Sequence, residues 1–158
     1  MRVIKFRGIT YQENKWAYGS LLLHEEKQPI ISYYDSDADE RSWLLVIPET
    51  AGQFTGCYDA TRWEELTSAE QAAYLASNKD NTPETWKGKE IYEGDIVKFR
   101  DCPPGVVKYG DKGNFGIQWS DIIPSRGFLR DMDKEFISEC KIIGNIHDNP
   151  ELLTKEVQ

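Results

Sequence analysis

The residues in this sequence with some claim to chemistry are a carboxylate pair, two histidines and three cysteines. Glu93–Gly94–Asp95 sets two carboxylates two positions apart, as metal binding or acid–base work would use them. A Mg²⁺ site needs several convergent oxygens, and the spacing offers no third. A tight turn explains the triplet more simply: glycine takes a positive φ, and Asp95 bonds the backbone of its own loop. His147–Asp148 could be a general base and the group that orients it. Adjacent residues of a strand point to opposite faces, so Asp148 is expected instead to shape the turn before a final helix. His24 sits beside Glu25 and Glu26 and is expected to be solvated; two histidines so far apart do not make a metal centre. Cys57, Cys102 and Cys140 have no neighbouring base or helix start that would lower a thiol pKa, and they read as idle thiols of a reducing compartment. The sequence therefore assigns no catalytic, metal-binding or cofactor-binding residue, and the expectation is a protein that is not an enzyme and carries no cofactor.

One binding possibility stands apart. Lys98, Arg100 and Lys108 fall on one side of adjacent strands and could form a basic patch for single-stranded nucleic acid. Asp95, Asp101 and Asp111 flank it, and the formal net charge of −8 repels phosphate backbones. A solvated surface is the stronger reading, and nucleic acid is an unlikely partner that the sequence does not exclude.

The elements that must position these residues are mostly strands. Val3–Arg7, interrupted by Gly8 and resumed at Ile9–Tyr11, is followed by a polar turn and by Trp16–Leu23, which predicts an antiparallel hairpin. Pro29–Tyr34 is a third strand. Trp43–Ile47 is wholly apolar and reads as a short buried strand that stops at Pro48. The character then changes. Thr67–Ser68–Ala69–Glu70 is a capping box leading into an alanine-rich run. Leu66, Ala69, Ala73 and Ala76 share the face expected to pack, and the helix with Trp63 and Trp86 at its borders could be a partner-docking element. Strands return at Gly94–Arg100, Gly105–Tyr109, Asn114–Trp119 and Lys141–Ile146. Their alternation puts Val97, Phe99, Val107, Tyr109, Phe115, Ile117 and Trp119 inside and Lys98, Arg100 and Lys108 outside. Asn149–Pro150–Glu151 reads as the cap and first turn of a short terminal helix.

The chain has 158 residues, 39% of them hydrophobic, with five Trp, eight Tyr and six Phe. That aromatic content supports a packed core without disulfides. The opening residues lack an apolar leader, and no apolar run approaches the ~18 residues of a membrane span. A cytoplasmic location is the default expectation.

Several ordered segments resemble the YopX family, known from phages and prophages of Gram-positive bacteria. They are Ile4–Gly8, Trp16–Leu21, Val46–Gly56, Gly88–Val97 and Ile143–Leu153. In the family's usual pattern a few turn residues join the segment ending in Phe54–Thr55–Gly56 to the one beginning at Gly88; here the Ala60–Trp86 stretch is inserted. The resemblance implies an N-terminal β-rich part (1–59), then the inserted helical segment (60–87), then an SH3-like small β-barrel with a short C-terminal helix (88–158). The fold class expected is mainly β with a minor helical insertion. It implies self-association and carries over no catalytic residue; with the acidic surface and the absence of a site, the expectation is a phage or prophage accessory protein acting by protein–protein contact, as a homo-oligomer or with a host or phage protein partner.

Overall fold

The computed structural model describes residues 3–111, 113–119, 129–131 and 134–154. The protein is mainly β. The strands are β1 (Phe6–Ile9), β2 (Trp16–Leu23), β3 (Pro29–Asp35), β4 (Glu40–Leu45) and β5 (Gly52–Tyr58). Helix α1 (Ser68–Ser77) follows, then β6 (Glu90–Tyr92), β7 (Asp95–Phe99), β8 (Gly105–Tyr109), β9 (Phe115–Trp119), β10 (Leu129–Asp131), α2 (Lys134–Ile137) and β11 (Cys140–Asn145).

Two antiparallel sheets result. The first has the order β4-β3-β2-β1-β5-β6 and the second β10-β9-β8-β7-β11. The expected first hairpin is present, with Arg7 opposite Tyr18 and Ile9 opposite Trp16. The first sheet curls on itself. An isolated bridge joins Thr10 to Val46, and Ile47 N donates to Ile9 O at 2.8 Å. Inside the curl lie Ala17, Ile31 and Val46, with Phe6, Leu21 and Leu44 against them. The larger core joins the two sheets: Ile91 of β6 packs with Val97, Val107 and Ile117 of the second sheet and with Phe136, Ile137 and Cys140. Each such aliphatic side chain contributes roughly 1.5–3 kcal/mol when fully buried.

Four expectations need correction. The second sheet is open, and no ladder joins β11 to β10 among the described residues. The reason is local: β11 shifts register between Ile142 and Gly144, and its outer edge is taken by the chain entering the insertion. Ala60 N donates to Cys140 O at 2.8 Å, and Ile142 N to Asp59 Oδ2 at 3.1 Å. The outer face of this sheet is not wholly basic, since Ile96 and Val106 share it with Lys98 and Lys108 and are buried. Of the apolar run Trp43–Ile47 only Val46 is fully buried; Leu44, Leu45 and Ile47 are half-buried, and Trp43, on an edge strand, is 54% exposed. The terminal helix is a single 3-10 turn over Pro150–Leu153, and Asn149 makes no side-chain cap bond.

Among the described residues no helix is long and apolar enough to cross a membrane.

Candidate functional site

The insertion forms an arm that stands off the body. The Thr67–Glu70 capping box is made in both directions, Glu70 N donating to Thr67 Oγ1 at 3.2 Å and Thr67 N to Glu70 Oε2 at 2.8 Å. The helix is not held by its alanines, because Ala69, Ala73 and Ala76 are exposed. It is held by Tyr74, which packs edge-on against Trp86 at 5.0 Å and against Trp63 at 5.8 Å. Trp63 and Trp86 complete the triangle at 6.1 Å. Gln71 Nε2 donates to Trp63 O, and the Tyr74 hydroxyl meets that of Thr85 at 2.9 Å. A ten-residue helix is marginal alone. These contacts make it stand.

Asp59 fixes the root of the arm. Its buried carboxylate accepts from Thr61 N (2.9 Å), Lys89 N (2.8 Å), the Thr61 hydroxyl (2.8 Å) and Ile142 N. Gly88 closes the root at φ +111°, and a Cβ there would stand 2.0 Å from Asp59 O. Gly88→Ala is therefore expected to lower the melting temperature by roughly 5 °C or more, since the clash and the strain act on backbone that cannot give. Calorimetry checks it.

Between arm and sheets runs an open groove of about 1430 Å³. Its floor centres on Arg7. The guanidinium lies between the rings of Trp16 (4.4 Å) and Tyr92 (4.8 Å) and donates from Nη2 to Asp95 Oδ1 at 2.5 Å. Asp95 Oδ2 accepts from Tyr92 N at 2.8 Å. Arg7 Nε is buried and finds no partner among the described residues. Beside this pair, the Tyr92 hydroxyl and Lys5 Nζ both donate to Glu90, at 2.8 and 2.7 Å. Asp148 Oδ2 accepts from Trp16 Nε1 at 2.9 Å and from Asn145 Nδ2 at 2.7 Å. On the arm side Lys89 Nζ reaches Glu70 Oε1 at 2.8 Å, and Lys87 lies over the Tyr58 ring.

Burial raises the Asp95 pKa, against the pull of Arg7. Burial also raises Tyr92 and Tyr18, so both phenols stay neutral. Asn145 and Trp16 hold Asp148 below its usual value, and burial lowers His147. Lys89 and Thr67 hold Glu70 down to about 2. Because that carboxylate titrates lower when folded, its contribution is complete above the ordinary value near 4.5 and is lost as pH falls toward about 2. The pair is well exposed, so the effect is a local loosening. Amide exchange of α1, normalised for intrinsic rate, is expected to quicken between those pH values, and Glu70→Gln is expected to remove the step.

The sequence-named residues are placed as follows. Asp95 is in the groove; Gly94 takes φ +87° as a turn glycine should, but the carboxylate also binds a cation 88 residues away. His147 tilts against Trp16 at 6.1 Å, while Asp148 shapes the turn as expected, its N–H donating to Asn145 Oδ1. His24 is exposed and stacks on Trp43. Cys57 is half-buried, Cys102 exposed and Cys140 buried. Lys98, Arg100 and Lys108 are exposed on the second sheet, away from the groove. Arg100 pairs with Glu139, and Lys98 stands opposite Lys141, itself bound to Glu65. Arg7, Trp16, Tyr92, Asp59 and Glu90 were not singled out. No spacing rule pairs Arg7 with Asp95, although an arginine in an apolar strand was a signal that a buried partner was required.

The groove holds three carboxylates on its floor, and each already accepts charged or strong donors. None is left as a free base, and no trio of metal-ligating groups gathers among the described residues. Aromatic walls with paired charges suit the binding of a mixed polar and apolar chain. Residues 85–154, which form the root of the arm, one side of the groove and the second sheet, match the family model described as YopX protein. The match leaves β1 to β5 and α1 outside it. No curated protein matches the chain.

Proposed function

We propose that this chain, whose C-terminal part belongs to the YopX family, is a phage or prophage accessory protein that grips a segment of a partner protein between its arm and its sheets. It makes no bonds and breaks none. The observation that carries this reading is the arm itself. It stands over a groove lined by Trp16, Tyr18, Tyr58, Tyr74, Trp86 and Tyr92, and its own helix buries no residue fully. Rigid aromatic anchors beside satisfied charges are what protein contacts use.

The partner is a host or phage protein, or a second copy of this chain. Trp86→Ala removes two of the three ring contacts in the arm. It is expected to speed amide exchange of α1 by about thirtyfold while leaving β7–β9 protected, since truncating a half-buried aromatic costs about 2 kcal/mol, less than a fully buried one. Partner capture should fall with it. Light scattering over a wide concentration range separates the occupants: an oligomer that Trp86→Ala dissociates assigns the groove to a second copy. Equal capture by the wild type and Trp86→Ala, with the arm shown to be loosened, would end the proposal.

A further inference from the structure

On the outer side of the first sheet, β2, β3 and β4 leave large apolar side chains in water. Ser20 pairs with Ser32 and Ser32 with Trp43, which puts Trp43 on the same face as Tyr18, Leu22 and Tyr34. Their exposures are 48% for Tyr18, 51% for Leu22, 59% for Tyr34 and 54% for Trp43. The strip is ordered. The His24 ring stacks on Trp43 with centroids 5.8 Å apart and planes 18° from parallel, and the Tyr34 hydroxyl donates to Asp39.

Trp43 also lies on a sheet edge. Among the described residues no strand pairs with Glu40–Leu44 on the side away from β3; at the end of β4, Leu45 O accepts from Tyr11 N at 3.3 Å. Its sequence, Glu-Arg-Ser-Trp-Leu-Leu, has no lysine and no proline, and its register with β3 runs without a bulge. These are the devices that usually protect an edge. The surrounding charge is one-sided. Between His24 and Leu45 stand Glu25, Glu26, Asp35, Asp37, Asp39 and Glu40 against Lys27 and Arg41 alone.

We propose that β4 and this strip receive a basic, extended segment of another protein, which adds to the first sheet as a further strand. Backbone bonds along Arg41–Trp43, the free stretch of β4, supply affinity. Alternate apolar side chains rest beside Trp43, and lysine or arginine reaches the acidic β3–β4 turn. A second copy is the poorer occupant, because each copy brings the same acidic turn and a net charge of −8. The inference goes beyond the groove and needs no arm; of the strip's residues only Tyr18 lines both.

The test uses the full chain and two peptides of about ten residues, one alternating Lys and Val and one alternating Glu and Val. At physiological salt the Lys–Val peptide is expected to bind at least about tenfold more tightly and to protect the amides of β4 from exchange. Trp43→Ser and, separately, Glu40→Lys are each expected to weaken it by about tenfold, while Trp86→Ala leaves it unchanged. Trp43 is half in water, so its replacement leaves the fold intact by far-ultraviolet circular dichroism; Glu40→Lys carries the test if it does not. Equal binding of both peptides, protection in the groove instead of at β4, undiminished binding by both variants, or β4 protection from self-association without peptide would each overturn the proposal.

Discussion

Asp95→Ala is expected to lower the melting temperature by about 10 °C or more. Asp95 is 2% exposed and pairs with Arg7, which is 7% exposed. Removing one partner of such a pair strands the other charge out of water, at a cost of roughly 3–5 kcal/mol. For a chain of this length each kcal/mol moves the transition by about 2–4 °C. Arg7→Met strands the carboxylate instead and should cost a similar amount. The double change Arg7→Met with Asp95→Leu removes both charges, and it is expected to recover much of the loss, because apolar replacements of a buried pair are often neutral. Scanning calorimetry of the four proteins checks this. Arg7 lies on β1 and Asp95 on β7, so if either single variant melts within about 2 °C of the wild type, the pair does not tie the first sheet to the second.

Asp59→Ala is the second large effect. It leaves Thr61 N, Lys89 N, Ile142 N and the Thr61 hydroxyl without their acceptor. A fully buried donor left unmet costs about 1–3 kcal/mol; these four are half-buried and share one site, so a total of about 4 kcal/mol is expected. Exchange at the amides of Thr61, Lys89 and Ile142 should accelerate more than at Ile117, which lies in the core of the second sheet. Asp59→Asn keeps the shape and one acceptor oxygen and should cost about half as much. Uniform acceleration across both sheets would show that Asp59 does not act at the root of the arm.

How much of this was legible depended on the range of the interaction. The β1–β2 hairpin, the capping box at Thr67–Glu70 and the turn at Gly94 are decided by neighbours a few residues away, and the sequence shows those neighbours. The mainly β class follows from the same local signals. What the sequence could not display is which groups meet across the chain. Arg7 and Asp95 are 88 residues apart, and Asp59 and Ile142 are 83 apart. Exposure was also hidden at two points. Trp43 sits in an apolar run that a buried strand and an edge strand would share. The alanines of α1 mark good helix formers, but Tyr74 does the packing. The expected closed barrel failed for a similar reason: a backbone donor from Ala60 holds the outer edge of β11, and no periodicity announces it.

The insertion leaves and re-enters the sheet at nearly one point. Asp59 N donates to Lys89 O at 2.9 Å, and Tyr58 pairs with Glu90. The hairpin between β5 and β6 would therefore close over its base whether or not anything were threaded out between its two legs. Beyond the contacts that Ala60 and Glu65 make with β11, the arm is a cassette: its length and its rings can change while the hairpin beneath it still closes.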